Sequence, residues 1–183
     1  MKGKLVVLSG PSGVGKDTVI DAWAKVNPRV ERVVACTSRE PREGEVDGDH
    51  YHFLMPEEFQ IQIAEGNFLE YKNVHGNLYG TPLKAMQAML DEGKIAILKI
   101  DVQGAAEVRK LRPDAITVFI LPPSIEVLEA RIRGRGLDDE DTIQRRLAGA
   151  IEELAGADQY QHQIINDEVA NVVLRLEAII GAE

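Results

Sequence analysis

The run Gly10-Pro11-Ser12-Gly13-Val14-Gly15-Lys16 is where this chain most plainly holds residues arranged for chemistry. Its Gly-x-x-x-x-Gly-Lys spacing lies between an apolar stretch, Leu5-Val6-Val7-Leu8, and a segment of helical periodicity, the context in which such a loop binds phosphate. The glycines let successive backbone N–H groups turn toward one anion, and the helix that follows adds its positive end. Lys16 supplies a point charge for the β- and γ-phosphates. The next residue is ordinarily Ser or Thr, whose hydroxyl ligates magnesium; here it is Asp17, followed by Thr18. Asp17 has three roles open to it: binding the ion directly or through water, favouring the helix N-terminus by charge, or leaving the hydroxyl role to Thr18. The magnesium site is therefore expected at Asp17 or Thr18.

A second set of residues lies beyond this loop. Thr37-Ser38-Arg39-Glu40-Pro41-Arg42, Gly44-Glu45-Val46-Asp47-Gly48 and Tyr51-His52-Phe53 come first. Phe68-Leu69-Glu70, Gly76-Asn77-Leu78-Tyr79-Gly80-Thr81 and Ile100-Asp101-Val102-Gln103-Gly104 follow in order. Two arginines three apart around Pro41 can hold a dianionic phosphate as rigid, multidentate donors. Taken together these blocks resemble the guanylate kinase family over essentially the whole chain. The resemblance implies ATP-dependent phosphorylation of GMP to GDP, in purine nucleotide metabolism, by direct in-line transfer. It also implies that Arg39 and Arg42, with the hydroxyls of Tyr51 and Tyr79, grip the GMP phosphate. Glu70 would accept from guanine N1–H and the 2-amino group, with Thr81 and Asp101 completing the base pocket. Ala35 stands where the family usually carries a hydroxyl.

On the donor side, Ile132-Arg133-Gly134-Arg135-Gly136 and Gln144-Arg145-Arg146-Leu147 resemble the family's lid. The resemblance carries a catalytic role to Arg135 and Arg146 beside Lys16, Arg39 and Arg42, and an ATP-binding role to Arg131 and Asn166. Arg145 is expected on a solvated helix face. The acceptor phosphate is already ionised at neutral pH, so alignment and charge neutralisation suffice and no general base is needed. No role falls to His50, His52, His75 or His162. A further departure is Lys99 in Lys99-Ile100-Asp101, where the family commonly shows an acid. With Asp17 it suggests an exchange of charges between neighbouring positions, the ammonium pairing with the carboxylate.

The elements that must position these residues alternate between strand-like and helix-like runs, which is the signature of an α/β domain with a mainly parallel sheet. Core strands are expected at Lys4–Leu8, Arg32–Ala35, Ile95–Ile100, Ala115–Leu121 and His162–Ile165. Helical spacing recurs at Val19, Trp23 and Val26, at Leu83, Met86 and Leu90, and at Val169, Val172, Val173, Leu176 and Ile180. These stripes read as core, Trp23 included. The resulting expectation is a P-loop kinase fold of one domain, its central sheet flanked by helices. The core would span 1–36, 82–130 and 147–183, a small mixed-β nucleotide-acceptor insertion 37–81, and a helical lid 131–146.

Composition narrows the partners. The chain has 183 residues, 44% apolar and 28% charged, enough for one compact interior. Its net charge of -9 argues against a general nucleic-acid binder, which needs a basic face. No apolar run reaches the roughly 20 residues that span a bilayer. A single cysteine, Cys36, and the want of a charged-then-apolar leader point to the cytoplasm, with Cys36 a packed hydrophobe. ATP, GMP and Mg2+ are the expected small-molecule partners of a monomer or simple homo-oligomer. Two other readings compete: a ribose 1,5-bisphosphate phosphokinase, favoured by Asp17, and a non-catalytic guanylate-kinase-like binding module.

Overall fold

The computed structural model describes residues 2–74, 76–134 and 139–182. The expectations for Arg135 and His75 thus lie outside the described residues. The chain runs β1 (Lys4–Ser9), α1 (Lys16–Val26), β2 (Val30–Arg32), β3 (Cys36–Thr37), β4 (His52–Phe53), α2 (Pro56–Ala64), β5 (Phe68–Val74) and β6 (Asn77–Pro82). It continues through α3 (Leu83–Asp91), β7 (Ile95–Lys99), α4 (Val102–Leu111), β8 (Ile116–Leu121), α5 (Ile125–Arg133), α6 (Glu140–Leu154), β9 (His162–Ile165) and α7 (Val169–Ala182).

Five strands form a parallel sheet in the order β2-β7-β1-β8-β9. Parallel neighbours need long crossovers, which the intervening helices supply, and both sheet faces are therefore covered. Along β1 the side chains alternate between two cores. Val6 and Leu8 pack with Val19, Trp23, Ile97 and Leu176, whereas Leu5 and Val7 pack with Met86, Leu98, Val108 and Phe119. Trp23 is fully buried in the first cluster, with its indole N–H donating to Glu177 Oε1. Val26 departs from its expected place in that core: it is 65% exposed, because the helix ends there and Asn27 caps it in an extended conformation.

A second sheet, β4-β3-β6-β5, is mixed: β3 and β4 run parallel, while β3 with β6 and β6 with β5 run antiparallel. It holds the acceptor blocks. The expected strand at Arg32–Ala35 divides between the two sheets. Val33 N–H still bonds Ile97 O of the core sheet at 3.0 Å, but Ala35 O already accepts from His52 N–H of the second sheet at 2.8 Å. A helix inside the insertion, α2, was not anticipated. It begins on Pro56 with Glu57 and Glu58 in its first turn, a favourable start in φ and in charge, and buries Phe59 against Phe68.

The expected lid is mostly ordinary helix where it is described. Ser124 and Asp139 cap α5 and α6 by accepting from Val127 and Thr142 N–H, so Arg131 belongs to α5 and Arg146 to α6. Among the described residues no helix is long and apolar enough to cross a membrane.

Candidate active site

Because β1 lies between β7 and β8, the chain leaving its carboxyl end enters the crevice where connections diverge, the usual ligand position in open α/β sheets. The loop from Gly10 to Lys16 occupies this place. Gly15 takes φ +100°, and a Cβ there would come within 2.8 Å of Asn166 Nδ2, so only glycine fits. Asn166 is buried, and its amide donates to Val14 O at 2.7 Å. Arg131 reaches the same carbonyl at 3.1 Å and Asn166 O at 3.2 Å. Both residues, carried over as ATP contacts, thus brace the loop from beneath. Lys16 Nζ is turned back onto Gly10 O and Pro11 O.

Asp17 opens α1, with its carboxylate toward the end of β7. Lys99 Nζ lies 2.6 Å from Asp17 Oδ1, and Arg32 Nη1 reaches the same oxygen at 3.3 Å. Partial desolvation pulls the Asp17 pKa up, but the Lys99 charge and hydrogen bond, with Arg32 and Lys16, outweigh it and hold the carboxyl below its ordinary value.

The phosphate clamp stands opposite. Arg39, Arg42, Tyr51 and Tyr79 line one cavity of about 540 Å³ together with Glu45, Asp17 and Lys99. Glu45 grips Arg39 with both oxygens, each contact 2.9 Å, and accepts Arg42 N–H at 2.8 Å. Those bonds hold the Glu45 pKa at about 2. The Arg39 guanidinium also lies 5.6 Å from the Tyr51 ring centre and 5.8 Å from that of Phe53, and its Nε has no partner among the described residues. Sequence reasoning had left Glu45 inside a motif without a role, and had missed Arg32.

A deeper cavity of about 300 Å³ continues from the clamp past Tyr51 and Tyr79 to Glu70, Thr81, Asp101 and Ala35. Glu70 is 6% exposed, not on a solvent face, and accepts the Thr81 hydroxyl at 2.6 Å. Burial pushes its pKa up, against the Thr81 bond and the Lys72 charge. Asp101 caps α4 by accepting Gly104 N–H at 2.9 Å, and also contacts Lys72 Nζ. A Cβ at Gly104 would lie 3.1 Å from Glu70 Oε2, so a larger residue there would make the carboxylate shift. Glu153 at the end of α6 accepts Ser12 N–H at 3.1 Å and lines this cavity, a residue no sequence motif had marked. Of the lid arginines, Arg146 is half-buried on α6 and Arg145 is exposed, as its register requires.

The whole described chain matches one family model, that of guanylate kinase, over residues 2–183. The chain belongs to the guanylate kinase family. It is 47% identical over 182 residues to guanylate kinase of Carboxydothermus hydrogenoformans, covering 100% of this chain and 89% of that one. With guanylate kinase of Synechocystis the identity is 45% over 183 residues, covering 100% and 96%. The crystal structure of guanylate kinase from Anaplasma phagocytophilum superposes with a TM-score of 0.80 at 32% identity, over 99% of this chain and 86% of that one. The SH3-kinase fragment of tight junction protein 3 shares the fold alone, with a TM-score of 0.55 at 15% identity, over 98% of this chain and 56% of that one. Family membership and the α/β architecture expected from sequence therefore agree.

Proposed function

We propose that the chain transfers the γ-phosphoryl group of ATP to a phosphate oxygen of GMP, and that the three cavities meeting at Lys99 are its donor and acceptor sites. The observation that carries this reading is their continuity. Lys99 lines the phosphate-loop cavity, the arginine clamp and the base pocket at once, so a nucleotide in each site would bring its phosphates to one point.

The residues then divide the work. Backbone N–H groups of 10–16 and Lys16 hold the donor phosphates. Arg39 and Arg42, with Tyr51 and Tyr79, align the acceptor dianion; Glu45 fixes the Arg39 fork in advance. Glu70, Thr81 and Asp101 hold the base. The acceptor oxygen is ionised, so the chain moves no proton, and its contribution is alignment, charge and exclusion of water that would otherwise hydrolyse ATP. Arg146 on α6 stands on one side of that enclosure. The insertion 37–81 stands on the other.

Magnesium fits this site through few protein ligands. Mg2+ is usually held by one or two carboxylates, waters and substrate phosphates. Asp17 offers one carboxylate beside the loop and Thr18 a hydroxyl, while no group of three or more potential ligands stands elsewhere among the described residues. The ion would supply neutralisation of phosphate charge. A cytoplasmic location is supported by the sequence holding one cysteine, Cys36, which can form no internal disulfide.

A steady-state panel of GMP, dGMP, AMP, UMP, IMP and ribose 1,5-bisphosphate with MgATP tests the assignment. GMP should lead AMP, UMP and ribose 1,5-bisphosphate by orders of magnitude. Preference for the sugar bisphosphate would overturn it, since Glu70 and Thr81 would then have no base to read.

A further inference from the structure

We infer that Lys72 reads the 6-position of the acceptor base, its ammonium donating to a 6-keto oxygen and disfavouring a 6-amino group. The inference rests on the GMP reading and names a determinant of its specificity.

Lys72 follows Glu70 by two residues on β5, so both side chains leave the same face of the strand. Across the ladder Glu70 faces Thr81 and Lys72 faces Tyr79, and all four line the deeper cavity. The Lys72 side chain is only 17% exposed, and its Nζ contacts Asp101. A lysine so enclosed is rare unless paired. Asp101 supplies the pair and is itself fixed by Gly104 N–H.

The hydrogen-bond inventory of the cavity is one-sided without this residue. Guanine presents two donors, N1–H and the 2-amino group, beside one acceptor, O6. Glu70 answers the donors, but a carboxylate cannot answer O6. The Thr81 hydroxyl is spent on Glu70 at 2.6 Å. Ala35 contributes only a methyl group to the wall. Lys16 is turned to the Gly10 and Pro11 carbonyls, and Lys99 to Asp17. Lys72 carries three N–H donors, so it can keep Asp101 and still offer one to O6. Adenine would set its 6-amino donor against that ammonium, donor facing donor, and neither could bond the other.

The experiment compares GMP with 6-thio-GMP, whose sulfur is a weak acceptor, in the unchanged chain and in Lys72→Met and Lys72→Arg. Lys72→Met should lower kcat/KM for GMP roughly tenfold, the scale of one charge-assisted hydrogen bond, acting on KM more than on kcat. It should lower 6-thio-GMP far less, so the preference for oxygen shrinks several-fold, and the ratio of GMP to AMP should narrow as well. Lys72→Arg, which keeps a cationic donor, should retain most of the preference. Equal losses for GMP and 6-thio-GMP would mean that the lysine merely neutralises Asp101, and would overturn the inference alone. Failure of the unchanged chain to phosphorylate GMP would instead overturn the reading beneath it. If Lys72→Met melts below the assay temperature, Lys72→Ala gives the same comparison with another side chain that has no donor for O6.

Discussion

Lys99 Nζ and Asp17 Oδ1 stand 2.6 Å apart at the point where the donor loop, the arginine clamp and the base pocket adjoin. Asp17 is 60% exposed, so the pair is a surface ion pair of modest intrinsic stability, and its meaning is positional. It places a cation and a metal-competent carboxylate within one contact. The pair sums to zero, one unit more positive than a neutral hydroxyl beside an acid. Asp17→Ser and Lys99→Asp should each reduce phosphoryl transfer, and the double variant should recover much of what either loses. Strictly additive effects in that cycle would show that the contact has no share in activity.

Lys16→Ala should abolish turnover, by several orders of magnitude in kcat, with little change in thermal midpoint. The side chain donates to carbonyls of its own loop, and its charge matters for the moving phosphoryl group. Near-normal kcat in this variant would displace the donor site from the loop.

Glu70→Gln should weaken GMP by about 1–3 kcal/mol, because an amide cannot accept from both guanine donors. A pH effect accompanies it. The folded pKa of Glu70 lies above its ordinary 4.5, and the ionised form is the one that accepts. The advantage of GMP over IMP, which lacks the 2-amino group, should therefore fall as pH drops toward that raised pKa. Taking the ratio cancels titration of the shared 5′-phosphate. A ratio flat down to the acid limit of stability would remove Glu70 from the base pocket.

Arg39→Lys should raise KM for GMP sharply despite keeping the charge, since lysine loses the fork that Glu45 now holds with two contacts of 2.9 Å. The Glu45 pKa of about 2 adds a titration with a definite sign. A depressed folded pKa contributes stability above the unfolded value near 4.5, and that contribution is lost as pH falls toward 2. The carboxyl resonance of Glu45 followed by NMR should titrate near 2 in the native chain and move up toward 4.5 in Arg39→Ala, staying below it because the Arg42 N–H bond and charge remain.

The sequence made the phosphate loop, the order of acceptor blocks and four of the five core strands readable, because each rests on local spacing. Ile95–Lys99 and His162–Ile165 appear at their expected places within a residue. The strand at Arg32–Ala35 was harder. An extended run looks the same whichever sheet takes its hydrogen bonds, and here Val33 and Ala35 bond to different ones. Helix α2 was hidden because its one buried residue, Phe59, gives no stripe to count. Arg32 and Glu153 reach the site only through tertiary contact, and nothing in their spacing marks them, whereas Lys72 lies two residues after Glu70 on the same strand and was within reach of a period-two reading. Lys99 was legible for the opposite reason, as a basic residue in a strand where an acid is usual.

The handover at Val34 has a consequence for how the free protein breathes. Backbone hydrogen bonding does not run from one sheet to the other, so amides of the acceptor sheet can open to solvent exchange while the core ladder stays intact. Slow exchange in β7 and β1 alongside faster exchange in β3 and β6 would be the mark of two cooperative units in one chain. Where GMP, by quieting the second unit, changes the affinity for ATP, ATP must by reciprocity change the affinity for GMP by the same factor.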